Sequence, residues 1–142
     1  MKTYEVHILQ SSDIHGYIFP KEYSQNNMAQ QGLAKVSSVL SSFDKNNTII
    51  IDSGDTIQGS PLMHVQAQKK STLHPLSTVF NYIGYNYVTL GNHEFNFGMD
   101  YLYSFYNNVD ALIVNSNIVK NEKPLLGSEF YIHKMDNDIS IA

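Results

Sequence analysis

Three short polar clusters hold the side chains able to do chemistry. They are Asp13 and His15 in Ser12-Asp13-Ile14-His15-Gly16, Asp52 and Asp55 on either side of Ser53-Gly54, and Asn92, His93 and Glu94 in the stretch Gly91 to Gly98. Carboxylates, imidazoles and an amide oxygen together suit a hard or borderline divalent cation such as Mn²⁺, Zn²⁺ or Fe²⁺. The chain has no cysteine, which removes thiolate metals and thiol nucleophiles alike. Where two such ions share a site they sit ~3.5–4 Å apart, close enough for one carboxylate to bridge them. Asp55 is the candidate for that bridge.

Two other chemistries fail on the same residues. Gly54 to Ser60, GDTIQGS, has the glycine spacing of a phosphate-binding loop, but Ser60 stands where that loop needs lysine. His93-Glu94 begins like a zinc-protease helix, yet Phe97 occupies the place of the second histidine. No Gly-x-Ser-x-Gly elbow occurs, so a serine hydrolase has no support.

Each cluster follows an apolar run, the profile of a buried strand delivering polar groups at its tip. Residues 4–9 alternate as a strand ending at Asp13, and Thr48-Ile49-Ile50-Ile51 is β-branched without alternation, as expected for a strand covered on both faces of a parallel sheet. Residues 87–90 and 111–114 predict two more strands. Between them, Leu33, Val36, Val39 or Leu40, and Phe43 form a helical stripe closed by residues 44–47, Pro61 opens a helix ended by Lys69-Lys70-Ser71, and Pro75 opens one stopped by Gly84. Residues 99–106 predict a further helix. Residues 21–31, rich in Gln and Asn, read as an exposed loop, and 129–134 with 139–142 as two antiparallel pieces. Strands alternating with helices define an α/β domain with a largely parallel sheet, whose ligand site lies at the carboxyl ends of the strands. All three clusters fall there.

The 142 residues amount to one domain, with 42% apolar residues for its core. A formal charge of −4 and the lack of arginine argue against a nucleic-acid polymer as partner. No apolar run approaches the ~18 residues of a membrane span. The opening MKTYEVHILQ, with Glu5 and His7 inside its apolar part, is unlike a secretory signal, which predicts a cytoplasmic location as given.

Together, Asp13-Ile14-His15, Gly54-Asp55 and Gly91-Asn92-His93-Glu94 resemble the signature of the dinuclear, calcineurin-like metallophosphoesterases. GDTIQGSPL and GNHEFNFG are similar to the branch of 5′-nucleotidases and 2′,3′-cyclic-nucleotide 2′-phosphodiesterase/3′-nucleotidases. The resemblance implies a sandwich of mixed β-sheets flanked by helices, of which residues 1–142 form the N-terminal part. It implies two divalent ions (Mn, Zn or Fe), with Asp13 and His15 on the first, Asp55 bridging and Asn92 on the second. It implies hydrolysis of nucleotide phosphoesters by metal-activated water, with His93 contacting the phosphate or leaving group, a nucleotide or cyclic nucleotide as substrate, and family members that are often exported. Asn96 stands where 5′-nucleotidases place an aspartate that pairs with the catalytic histidine. Its amide oxygen would orient His93 without stabilising an imidazolium, and with His74-Pro75 and Met99-Asp100-Tyr101-Leu102 it favours the cyclic-phosphodiesterase branch.

The family completes its metal site with three further histidines and carries a C-terminal nucleotide-binding domain. Neither is found in these residues, and the sequence stops inside an apolar run at Ile141-Ala142, so a truncated sequence is expected. Of the remaining polar residues, Asp52 and Glu94 are expected to hydrogen-bond the loops, and His7, His64, His74 and His133 to be surface or satisfied core groups. Asn115 and Asn117, after the last strand of the sheet, are candidates to reach substrate. The rival reading is a non-catalytic remnant or scaffold of the same fold. The full set Asp13, His15, Asp55, Asn92 and His93 opposes it, because a degenerate site sheds unpaired charges that are costly to bury.

Overall fold

The computed structural model describes residues 3–25, 27–69, 71–135 and 139–142. Lys70, expected to help end the second helix, and Asn26, within the 21–31 segment, lie outside them. The elements run β1 (His7–Ser11), β2 (Lys21–Glu22), β3 (Asn27–Met28), α1 (Leu33–Leu40), β4 (Thr48–Asp52), α2 (Pro61–Gln68), α3 (Pro75–Ile83), β5 (Tyr87–Val88), α4 (Met99–Tyr106), β6 (Leu112–Ile113), β7 (Val119–Lys120), β8 (Lys123–Pro124), β9 (His133–Lys134) and β10 (Ser140–Ile141). Strands β1, β4, β5 and β6 form one wholly parallel sheet in that order, and the other six pair as three two-stranded antiparallel ribbons.

Register is what aligns the strand tips. Ser11 pairs with Asp52, and Asp52 with Val88, so the chain leaves three neighbouring strands at one level. Beyond that level the ladder continues into the loops, with Ser53 N donating to Ser11 O at 2.9 Å and Thr89 N to Asp52 O at 3.0 Å. Strand β5 is shorter than the 87–90 expected. The Thr89 carbonyl accepts the Tyr106 hydroxyl of α4 at 2.8 Å in place of a strand partner, and the chain turns at Gly91.

Ile50 and Val88 face a core built with Leu33 of α1, Leu76, Phe80 and Ile83 of α3, and Leu102 and Phe105 of α4. Phe80 stacks on Tyr85 at 4.2 Å between ring centroids and meets Phe105 edge-on at 5.3 Å. The helix starts follow from capping. Ser60 and His74 are the N-caps ahead of Pro61 and Pro75, and Gly84 ends α3 with φ 87°.

Other stretches also differ from expectation: β1 starts at His7, α1 ends at Leu40 before Phe43, and β9 covers only His133–Lys134 of the 129–134 expected. Residues 21–31 do not form a plain loop, because Lys21–Glu22 pairs antiparallel with Asn27–Met28. Ala29 N donates to Pro20 O at 3.0 Å and Gln31 Nε2 to Lys21 O at 2.9 Å. Backbone pairing makes this ribbon, and with polar residues on both faces it leaves no period to read. The β7–β8 hairpin was also unforeseen. Its two turn residues, Asn121 and Glu122, have φ 53° and 61°, as the tight hairpin turn requires.

His74 is a satisfied core group with no exposed surface. Leu76 N donates to its Nδ1 at 3.2 Å, which puts the ring proton on Nε2 facing the Tyr101 hydroxyl at 2.8 Å. Burial lowers its pKa to about 4. The folded chain refuses a proton that the unfolded chain accepts near ~6.5, so this contribution to stability is complete above that pH and is lost as pH falls toward about 4. Asn in its place keeps a cap acceptor and does not titrate. Chemical denaturation at about pH 7 and about pH 4.5 should show the parent chain losing about 2 kcal/mol more than His74→Asn. Equal losses would mean that His74 takes up its proton without unfolding.

Candidate metal centre

Asp13, His15 and Asp55 each offer one ligand atom, and these atoms lie within 4.8 Å of one another. They come from the loops after β1 and β4. Asp13 N donates to Gly54 O at 3.1 Å and His15 N to Asp55 O at 3.0 Å, so each loop supplies the other's backbone partners. All three residues hold left-handed backbone, with φ 55°, 48° and 57°. That region is uncommon for residues with a side chain, and non-glycine residues kept there cluster at functional sites.

The donor set fits a divalent cation. His15 Nδ1 lies 2.7 Å from Gln58 O and, facing a carbonyl, must carry the ring proton. The Nε2 lone pair is therefore free, and it lies 3.7 Å from Asp13 Oδ1. A backbone carbonyl fixing the far nitrogen is the usual way a protein orients a metal-binding imidazole. Asp55 Oδ1 accepts the His93 N–H at 2.9 Å, and its other oxygen takes no hydrogen bond among the described residues.

The third cluster meets the first two at this point. His93 packs edge-on against His15 with ring centroids 5.3 Å apart. Asn92 opens the short 3-10 turn His93–Phe95, exposed and without a side-chain capping bond. Asn96 reaches His93 as expected but turns its amide nitrogen to the ring, with Nδ2 donating to Nδ1 at 3.0 Å. An acceptor Nδ1 places the His93 proton on Nε2.

Behind the three candidate ligands lie two buried carboxylates. Glu94, with no exposed surface, accepts N–H groups from Asp55 (2.9 Å), Thr56 (2.5 Å), Ile57 (3.4 Å) and Gly91 (2.6 Å). Asp52 accepts from Gly54 N at 3.1 Å, Thr56 Oγ1 at 2.6 Å and Ser11 Oγ at 2.5 Å. Since Ser11 spends its only proton on Asp52, the Tyr85 hydroxyl 2.7 Å away donates to Ser11. Burial pushes the Asp52 carboxyl up, against the pull of those hydrogen bonds. Burial likewise raises the Tyr85 and Tyr106 hydroxyls, which stay neutral donors.

The structure separates other candidates from the centre. Asn115, 2% exposed, spends its amide on Ile118 O at 2.8 Å and its oxygen on Ile118 N at 3.0 Å, so it holds the loop after β6. Asn117 is exposed in that same loop. His7 lies 3.7 Å from Glu5, His64 pairs with Gln68, and His133 with the Tyr87 hydroxyl. The part that sequence reasoning missed is the left-handed backbone of the ligands. Only the neighbouring glycines hinted at it.

A parallel sheet flanked by helices thus gathers carboxylate and imidazole donors at its strand tips, where they could hold a divalent cation. Residues 6–140 match the family of calcineurin-like phosphoesterases, and the chain belongs to that family. It is 34% identical over 131 residues to a 2′,3′-cyclic-nucleotide 2′-phosphodiesterase/3′-nucleotidase of Salmonella typhimurium, a match covering 87% of this chain and 20% of the relative. It is 37% identical over 121 residues to the trifunctional nucleotide phosphoesterase YfkN of Bacillus subtilis, covering 78% of this chain and 8% of the relative. The crystal structure of calcineurin-like phosphoesterase YfkN superposes with a TM-score of 0.76 at 28% identity, over 96% of this chain and 45% of that one. The chain thus spans about a fifth or less of the length of these curated relatives. Among the described residues no helix is long and apolar enough to cross a membrane.

Gly91 gives a direct test of the geometry. A Cβ there would lie 2.2 Å from Asp55 Oδ1 and 2.6 Å from Asp55 N, whereas one at Gly84 meets nothing within 4 Å. Gly91→Ala should cost about 1–3 kcal/mol from overpacking and weaken Mn²⁺ binding by displacing Asp55. Gly84→Ala should cost about 1–2 kcal/mol from its left-handed backbone alone and leave Mn²⁺ affinity unchanged. Thermal melts and Mn²⁺ titrations of the two variants check this; equal Mn²⁺ affinities would place Asp55 outside the site.

Proposed function

We propose that this chain is the N-terminal part of the catalytic domain of a metal-dependent nucleotide phosphoester hydrolase. The observation that carries the proposal is the meeting of Asp13, His15 and Asp55 within 4.8 Å beside His93. Asp13 and His15 would hold one divalent ion, Asp55 would be shared with a second, and Asn92 would serve that second ion. When bound, such ions supply Lewis-acid charge to a phosphoryl group and acidify water for in-line attack.

The chain's own residues do the rest. His93, with its proton on Nε2, donates to a phosphoryl or leaving oxygen as charge develops there. Asn96 keeps the ring in that tautomer, and the His93 backbone N–H holds Asp55 in place. Having no arginine, these 142 residues would leave most of the phosphate's neutralisation to the metal ions.

For the substrate we favour 2′,3′-cyclic nucleotides and 3′-nucleotides over 5′-nucleotides. Asn96 beside His93 and the activity for which the Salmonella relative is named support that choice. Rates on 2′,3′-cyclic AMP, 3′-AMP and AMP decide it, and a higher kcat/KM for AMP would reverse the assignment.

That the chain spans a fifth of its Salmonella relative supports placing it as one part of a longer domain. Taken alone it should bind at most one Mn²⁺, weakly, and turn over no phosphodiester. Two tightly bound ions with turnover would refute this. In a protein extended to its relatives' length, Asp55→Ala should abolish activity and lower bound Mn²⁺. His93→Asn should cut kcat about 10²–10⁴-fold with metal content unchanged. Loss of metal in the His93 variant would merge the two roles.

A further inference from the structure

The polypeptide from Gly54 to Ile57 has the shape of an anion nest. Asp55 has positive φ, 57°, and Thr56 after it does not, a change of hand that turns the successive N–H groups of Asp55, Thr56 and Ile57 to one side. Nests of this form usually bind phosphate. Here the anion is internal. The Glu94 carboxylate, arriving from the third cluster, fills the nest and takes the Gly91 N–H as well.

We infer that Glu94 is a positioning residue for the metal centre, holding the Asp55 loop in its left-handed conformation and, through it, the Asp13–His15 loop. The first part of this link is the set of N–H bonds above, made to a carboxylate with no exposed surface. The second is the pair of bonds that make the first loop depend on the second, Asp13 N to Gly54 O and His15 N to Asp55 O. A third is Gly54 against Gly91, where a Cβ on Gly54 would lie 2.3 Å from Gly91 N, so the segments on either side of the carboxylate touch backbone to backbone. Glu94 offers no ligand atom to the cluster of Asp13, His15 and Asp55. Its influence on metal binding is therefore indirect. Both oxygens must accept, and both need charge, because every neighbouring donor is a backbone N–H. A glutamine would turn an N–H₂ toward N–H groups.

This inference deepens the metal-centre reading and rests on it for its consequence, but one measurement is independent of metal. Amide hydrogen exchange on the metal-free chain should show Glu94→Gln accelerating exchange at Asp55, Thr56 and Ile57, and also at Asp13 and His15, by about tenfold or more, while β4 and α3 stay protected. Mn²⁺ affinity should weaken by about tenfold or more in the same variant. Glu94→Asp, which keeps the charge but falls short of some donors, should recover part of both and serves in place of glutamine if that variant does not fold. Gly84→Ala is the control: it lowers the melting temperature through its left-handed backbone, its Cβ meets nothing within 4 Å, and it should leave both loops and Mn²⁺ affinity as in the parent chain. If the Glu94 variants lower the melting temperature but leave exchange at Asp13 and His15 unchanged, Glu94 is merely structural and the inference fails. If the parent chain binds no Mn²⁺ while the exchange pattern holds, the metal reading fails and the positioning role stands.

Discussion

A carboxylate removed from water and given to four backbone N–H groups is the constraint on which this structure depends. Burying an ionised Glu94 without partners would cost far more than the fold could recover, and burying the N–H groups of Asp55, Thr56, Ile57 and Gly91 unpaired would cost about 1–3 kcal/mol each. Each side of the arrangement is satisfied only by the other. It ties the loop after β5 to the loop after β4, two segments that the sheet alone brings near but does not lock.

Asp52 performs the complementary task from below. It takes the Gly54 N–H and the Thr56 hydroxyl, so the segment from Gly54 to Ile57 is held between two buried acids. The two negative charges oppose each other, which adds to burial in raising Asp52. Ser11 and Tyr85 counter this by donating in series from β1 and from the residue after the α3 cap. The site's support therefore draws on the same elements that form the apolar core. Tyr85 stacks on Phe80, and the Tyr101 hydroxyl between His74 and Ile57 O links the start of α3 to the end of the Asp55 loop.

Much of this was legible in the order of residues. β-branched Thr48 to Ile51 announced a central strand because a strand covered on both faces has no polar alternation. Pro61, Pro75 and Gly84 marked helix ends because their backbone preferences are local. The polar clusters after each apolar run pointed to strand tips, and the parallel register of β1, β4 and β5 places them together. Where local preference was silent, reading failed. The β2–β3 ribbon has no apolar period, and β5 stops early because a hydroxyl from α4 takes its next carbonyl.

By itself, the sequence determined the candidate ligand types, their order, the α/β alternation and the family signature, since each is a property of residue identity and spacing along the chain. The tertiary structure alone supplied the physical reason why Asp55 stands at the centre while Asp52 braces it from behind. Asp52 and Asp55 are three residues apart and chemically alike, yet one is buried against hydroxyls and the other stands beside His15 and His93. It also decided the left-handed backbone of Asp13, His15 and Asp55, which no side-chain preference calls for. That conformation persists because hydrogen bonds from distant segments over-determine it, and distance along the chain carries no record of such bonds.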